Sequence, residues 1–381
     1  MSLDSWHNYK CVRGNKPCAH FFNPGYEASV ALGDKSYTPS GMVQMMRRDL
    51  WELPYYYAGA DDIVLNPEHL PPQATLSEYT LAPWGWAPEL KYGKLASLVS
   101  FSYDEIRLWS SRQNTYALVE RLITLFPIDY DRGFLPYAIT DQSIPQGLDM
   151  EKKYVLKEEF SSSGRGVVFV RGSEVSEILS KRQNKSANKR IYLENFYSKV
   201  GDRGYEFYRD AEGHVTYVGP SDFKTIEGRY VGNVIEPAES IHRRWRQEPT
   251  SPSHDTYVNQ LLQALDTLQL GSYQGPIGID TIVYEDARGL HLHPCIEINI
   301  RPTMGWLAIS LAERYLPEGM NGRFELVHFP SADALQRDLV PLLASTTPLY
   351  QRDISVQSLS PGTYPLNTLT PQSRFAALLV I

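Results

Sequence analysis

Residues 295–305, CIEINIRPTMG, constrain the fold more tightly than any other stretch of this chain. Ile296, Ile298 and Ile300 fall at every second position, and Glu297, Asn299 and Arg301 fill the places between them. Successive side chains of a strand point to opposite faces. The isoleucines therefore define one buried face, and the three polar residues share the other. A second alternating run, GPIGIDTIVY at 275–284, precedes it, and EDARG between the two supplies a turn, so the pair predicts a hairpin. Asp280 lies on the face opposite Ile277 and Ile279. If the connecting loop holds an even number of residues, paired positions sum to an odd number. Asp280 then shares the face of Glu297, directly opposite or one diagonal step away, with Cβ atoms about 5 to 8 Å apart.

Two carboxylates crowded on one sheet face repel, and a dry site holding both needs a counter-charge. Hard oxygen ligands of this kind suit Mg²⁺, with Mn²⁺ as a substitute, bound through one or two carboxylates plus substrate phosphates. Asp280, Glu297 and Asn299 are the candidate metal ligands. Arg301 beside them is suited to a phosphate oxygen or a developing oxyanion. The plainer alternative is a half-exposed sheet face on which Glu297 and Arg301 pair with each other.

Two further stretches carry chemistry. In YVLKEEFSSSGRGVVFV, Lys157 leaves an apolar strand just before a loop of small residues, Ser161, Ser162, Ser163, Gly164, Arg165 and Gly166. Glycines let backbone N–H groups approach an anion, and serine hydroxyls add donors. The lysine precedes the loop and no Gly-Lys-Ser follows, so this is no Walker sequence. In IYLENFYS, an apolar strand ends on Glu194, Asn195 and Phe196, which suits an adenine pocket or a plain strand end.

The remaining pattern organises the chain. The first 110 residues read as a small α/β unit: a strand in CAHFFNPGYE, a helix in SGMVQMMRRDLWELP (40–54) that Ser40 can cap, a strand in DDIVLNP, and a loop over LAPWGWAPEL at 81–90. A helix over 111–125 gathers Tyr116, Leu118, Val119, Leu122 and Ile123 on one face to be buried. Strands flank the serine-rich loop, a short helix capped by Ser173 follows, and more strands run through residue 225. A helix over 251–270 starts at Ser253. Helices over 304–316 and 331–345 precede a Pro- and Thr-rich tail that ends in an apolar strand at 375–381. The boundaries expected are 1–110, 111–320 (lobes of about 115–195 and 196–315), and 321–381.

In order and spacing, Lys157 with SSSGRG, LENF at 193–196, Asp280, and EINIR at 297–301 resemble the ATP-grasp superfamily across roughly residues 115–315. FNPGYE, PWGW and DRGYEF look like segments of its bacterial members. The resemblance implies an α/β (α+β) protein, an ATP-grasp fold of two α+β lobes preceded by a small Rossmann-like domain. It implies ATP clamped between the lobes, Lys157 on phosphate, residues 161–166 folded over the triphosphate, and Glu194, Asn195 and Phe196 around the adenosine. It further implies Mg²⁺ on Asp280, Glu297 and Asn299, and Arg301 on the transferring group. A basic residue ahead of the flap strand is expected on the α-phosphate, with Arg112, Arg121 and Arg132 as candidates. By the same resemblance, Arg203, Lys224 and Asn233 face the acceptor substrate.

Such proteins join a carboxylic acid to an amine or thiol through an acyl phosphate. A phosphotransferase acting on a hydroxyl and a nucleotide-binding module without turnover are the alternatives. Expected partners are small-molecule carboxylates and amines, with a homodimer one option for assembly. A net charge of −7 gives no broad attraction to nucleic-acid backbones. No apolar run reaches the roughly 18 to 20 residues that span a bilayer. Cys11, Cys18 and Cys295 form no disulfide framework, and the N-terminus lacks a hydrophobic signal core. A cytoplasmic location is the expectation. His291 and His293 share the parity of Glu297 but read as polar strand residues. KRQNKSANKR (181–190) reads as a solvated loop, and HRRWRQ (242–247) as a source of substrate-binding arginines.

Overall fold

A computed structural model describes residues 16–33, 37–139, 147–160, 166–183, 190–226, 228–351 and 359–381. The first unit is a parallel three-stranded sheet, β1 (Cys18–Phe21), β2 (Ile63–Val64) and β3 (Thr80–Pro83), with β1 in the middle. The strand β3 falls inside the tract expected to be a loop. It is an edge strand whose last position is Pro83, the place where a residue without an N–H is tolerated. The helix Gly41–Leu50 begins as expected, with the Ser40 side chain accepting from the Val43 N–H. A helix not anticipated, Tyr103–Ser110, is fixed by a capping box between Ser102 and Glu105.

The second unit is a four-stranded antiparallel sheet of β4 (Tyr137–Ile139), β5 (Lys153–Glu158), β6 (Val167–Arg171) and β7 (Ile191–Asn195), in the order β4-β7-β5-β6. Ser173 is not the cap of the helix that follows. It lies inside a 3₁₀ turn, Gly172–Glu174, that leads into the helix Val175–Gln183. The helix Gln113–Leu125 buries Leu118, Val119 and Leu122.

The third unit is a nine-stranded sheet: β8 (Lys199–Arg209), β9 (Val215–Ile226), β10 (Arg229–Ile235), β11 (Gly275–Asp286), β12 (Gly289–Leu292), β13 (Glu297–Asn299), β14 (Gly322–His328), β15 (Thr363–Pro365) and β16 (Phe375–Val380). Its path is β12-β11-β8-β9-β10-β14-β16-β15, with β13 also on β11. Residues 321–381 thus continue the sheet that residues 199–299 begin, and β14 was not foreseen.

The hairpin forms, with Asp286 opposite Gly289 across a two-residue turn. The return strand is not continuous. Pro294 lacks an N–H, and the ladder is interrupted between Leu292 and Glu297. The paired sums change from 575 at Val283 and Leu292 to 577 at Asp280 and Glu297, an even slip that keeps the faces in step. Ile277, Ile279, Ile298 and Ile300 join Leu261 and Leu265 of the helix His254–Leu265 in the main core. That helix starts at Ser253, whose hydroxyl accepts from the Thr256 N–H.

The strand β16 lies between β14 and β15, and Leu379 is fully buried. Leu379→Ala is expected to cost about 2–5 kcal/mol through lost burial and a residual cavity. Urea unfolding that finds a loss below about 1 kcal/mol would show that β16 does not anchor this sheet.

Candidate functional site

The register of β11 against β13 sets Asp280 directly opposite Glu297, with Asn299 two pairs along on the same face, opposite Gly278. The Asn299 Nδ2 donates to Asp280 Oδ2 at 3.0 Å. Burial, and then the charge of Glu297, push the Asp280 carboxyl up to about 7, although Arg301 and the Asn299 hydrogen bond act the other way. The three candidate metal ligands are therefore neighbours on one face. Among the described residues no group of three or more His, Cys, Asp and Glu is arranged to hold a metal. The donor set is two carboxylates and an amide.

Cations from the second unit reach this face. Arg112, the residue before the helix Gln113–Leu125, is buried and its guanidinium meets Glu297 Oε1 at 3.0 Å. Arg121 and Arg132 are exposed, so geometry singles out Arg112 from the three basic candidates. Lys157 of β5 is buried too. Its Nζ pairs with Glu194 Oε2 at 2.7 Å and donates to the Ile296 carbonyl at 3.3 Å. The Tyr116 hydroxyl donates to the other Glu194 oxygen at 2.7 Å. Lys157 is therefore held at the start of β13.

Beyond Glu194, Asn195 Nδ2 donates to the Gly133 carbonyl at 2.9 Å. Phe196 is partly exposed, edge-on to Phe169, with Lys153 over its ring at 5.5 Å. Gly166 opens β6 with φ +79°, in the left-handed region that suits glycine. Ser161, Ser162, Ser163, Gly164 and Arg165 lie outside the described residues.

Arg301 occupies a socket built from two motifs of the first unit. Asn23 Nδ2 donates to the Gly85 carbonyl at 2.8 Å, and the Gly85 N–H returns a bond to Asn23 Oδ1 at 3.0 Å. This clasp joins FNPGYE to PWGW. A side chain on Gly85 would collide with the Tyr26 ring, so glycine is required for the two segments to close. The Arg301 guanidinium acts electrostatically on the buried Tyr26 hydroxyl and lies 5.5 Å from the Trp84 ring centroid. Burial opposes the Arg301 charge, but Tyr26, Glu27, Glu297 and Asp280 together hold its pKa above the usual value.

The site holds a third carboxyl group that sequence reasoning did not assign. Glu206 of β8 pairs with Gly278, the residue that also pairs with Asn299, and so faces the same way. It is 1% exposed. Its Oε1 accepts from the Thr303 hydroxyl at 2.8 Å and the Ser221 hydroxyl at 3.4 Å, while Oε2 has no hydrogen-bond partner among the described residues. Burial first, with repulsion from Asp280, pushes its carboxyl up to about 8. Side chains at Gly278 or Gly305 would strike Glu206 or Thr303. The signal in the sequence was parity along RGYEFYR, but it needed the pairing of β8 with β11, strands some seventy residues apart.

The acceptor-facing candidates Arg203, Lys224 and Asn233 all line one cavity of about 690 Å³, although they do not share one face of the sheet. Arg203 pairs with Thr281, so it points to the helix side, away from Asp280. There it meets Glu248 and lies over the Trp245 ring at 4.6 Å. Lys224 is exposed and shares the parity of Asp222, the cross-strand partner of Arg203, on that same helix side. Asn233 pairs with Phe223, which pairs with Asp202, and so lies on the carboxylate face, bonded to the Tyr230 hydroxyl. His293 is buried edge-on to Phe134 and Tyr197, and burial with the Lys157 charge holds its pKa down to about 3. His291 pairs with Asp286 at 2.9 Å. Arg244 is taken by Asp222 and Glu236, both at 2.6 Å.

With this geometry in place, solved structures show the fold. An Aspergillus clavatus carboxyaminoimidazole ribonucleotide synthase complexed with ATP matches with a TM-score of 0.51 at 11% identity, over 98% of this chain and 94% of that one. The A. clavatus N5-carboxyaminoimidazole synthase with ADP and 5-aminoimidazole ribonucleotide matches with a TM-score of 0.50 at 10% identity, over 96% and 94%. The chain has the ATP-grasp fold, as its motifs led us to expect. No protein-family model matches the sequence, and no curated protein matches it significantly. No helix among the described residues is long and apolar enough to cross a membrane.

Glu206 gives a test that needs no substrate. Its folded pKa of about 8 lies above the ordinary value of 4.5, so the folded state keeps a proton that the unfolded chain releases. The stabilising contribution is full below about 4.5 and lost as pH rises towards 8. Glu206→Gln, neutral throughout, is expected to flatten the fall in stability between pH 5 and 8 measured by urea unfolding. An unchanged slope would place the Glu206 pKa near the usual carboxylate range.

Proposed function

We propose that the protein is an ATP- and Mg²⁺-dependent ligase that joins a carboxylic acid to an amine or thiol through an acyl phosphate. The observation that carries this reading is the pairing of Asp280 with Glu297, with Asn299 bonded to Asp280, beneath Lys157 and Arg112. Two hard carboxylates forced together, one of them with a raised pKa, fit a divalent cation that would relieve their repulsion. When bound, that cation supplies charge neutralisation for the phosphate oxygens. The match to a synthase complexed with ATP supports the nucleotide assignment through the fold.

On this reading the chain's own residues divide the work. Asp280, Glu297 and Asn299 hold the cation. Lys157 and Arg112, each now satisfied by a carboxylate, turn part of their charge to the α- and β-phosphates. Residues 161–166 cover the triphosphate, and Glu194, Asn195 and Phe196 border the adenosine. Arg301, fixed by Tyr26 and Trp84, stabilises the transferring phosphoryl group. An acceptor carboxylate oxygen attacks the γ-phosphorus, the bond to the bridging oxygen breaks, and ADP leaves. The amine or thiol then attacks the acyl carbon, the C–O bond to phosphate breaks, and phosphate and a proton depart. A carboxylate alone would have to expel oxide, which is why phosphorylation comes first. Asn233, Arg203 and Lys224, which line one cavity, remain the candidates for substrate contact.

ADP release with Mg²⁺ across a panel of acids, amino acids, dipeptides and polyamines tests the reading. Glu297→Gln and Asp280→Asn are each expected to lower turnover about 10²- to 10³-fold, the usual loss for one preorganised electrostatic contact, with the fold retained by circular dichroism. Turnover in Glu297→Gln equal to the parent protein would reject the assignment. A stable phosphorylated product without ligation would replace the ligase with a phosphotransferase.

A further inference from the structure

A cavity of about 410 Å³ lies between the first unit and the start of β11, and it reaches Arg301. Its size falls within the roughly 300–1,000 Å³ typical of small-ligand pockets. Six rings wall it: Tyr57, Trp86, Phe101, Tyr208, Tyr273 and Trp306. They are locked against one another and their surroundings. Trp86 meets Phe101 edge-on with centroids 4.6 Å apart, Phe101 meets Trp109 at 4.6 Å, and Trp109 meets Tyr273 at 5.3 Å. Tyr208 and Trp306 lie 6.4 Å apart. Interlocked rings of this kind make a stiff, largely apolar sleeve.

The charged groups in the wall are unequal. Asp62 accepts from the Cys18 and Gly59 N–H groups at 2.6 and 2.8 Å and pairs with His20 at 3.0 Å. Lys16 donates to the Ser77 carbonyl at 2.7 Å, and Arg314 donates to the carbonyls of Tyr56 and Ala58, both at 3.1 Å. These groups are spent on holding loops together. Arg301 also donates to a carbonyl, from Nη1 to Pro302 at 2.9 Å, but besides lining the cavity it interacts with Glu297 and Asp280. Asp61, exposed at the rim, repels a second negative charge.

We infer that this cavity is the subsite for the acid substrate, and that it takes a monocarboxylate with a bulky, ring-bearing apolar body. The carboxylate lies at Arg301, next to the Asp280–Glu297 pair, and the body fills the aromatic sleeve. A phosphorylated or multiply charged acid would bring its second negative charge towards Asp61 and Asp62 in the same wall. The inference rests on the ligase reading above and names the class of acid that reading left open.

Calorimetric titration of the full chain, without nucleotide, tests it with three probes: 3-phenylpropionate, propionate and 2-phenylethylamine. 3-Phenylpropionate is expected to bind at least tenfold tighter than either of the others, because only it has both the ring and the carboxylate. Ala82→Phe, which fills the sleeve beside Trp86, is expected to weaken that binding at least tenfold. Equal affinity for propionate and 3-phenylpropionate, or equal affinity for the amine, overturns the inference, as does undiminished binding in a folded Ala82→Phe protein. If that variant does not fold, the comparison among the three probes decides. Because no nucleotide is present, the result reads the cavity alone, while the ligase reading stands or falls on ADP release.

Discussion

The site depends on one forced proximity, that of the Asp280 and Glu297 carboxylates across two neighbouring strands. The register leaves them nowhere else to go, since moving either strand by one residue would turn the buried isoleucines out to the opposite face. Repulsion is therefore built into the sheet, and the surroundings answer it. Arg112 meets Glu297, Asn299 donates to Asp280, and Arg301 acts on both through space. Asp280 still carries a raised pKa, which marks incomplete compensation. On the proposed reading, a divalent cation with bound phosphates would complete it.

Arg301 is where the first unit joins this arrangement. The clasp of Asn23 on Gly85 brings Tyr26 and Trp84 to the guanidinium, so residues more than two hundred positions away set its orientation. The same guanidinium borders the aromatic cavity on its other side. One side chain thus connects the carboxylate pair to the aromatic cavity. Glu206 strengthens the connection from below, through Thr303, whose hydroxyl also caps the helix Met304–Tyr315.

Much of this was legible because it is local. Alternation gave the two faces of the hairpin, and an even slip at Pro294 preserved them although the strand itself was interrupted. Ser40, Ser253 and the apolar face of the helix Gln113–Leu125 followed from rules that act within a few residues. What escaped was relational. The orientation of Arg203 depends on which strand lies beside β8, and the pairing shows it pointing to the helix side. Glu206 is invisible as a site residue without that same neighbour. The segment at 81–90 looked like a loop because Pro83 breaks the ladder, yet an edge strand tolerates it. The strand β14, with Arg323 and Glu325 among its residues, carries too little apolar alternation to stand out.

The central claim is that Asp280, Glu297 and Asn299 together cradle a divalent cation with the triphosphate. A crystal structure of the protein grown with Mg²⁺ and a non-hydrolysable ATP analogue tests it most directly. The expected result is a divalent ion held by the carboxylates of Asp280 and Glu297 and the Asn299 amide, beside the phosphates of the nucleotide. A nucleotide bound elsewhere, or an ion in the cleft that leaves both carboxylates untouched, would contradict it.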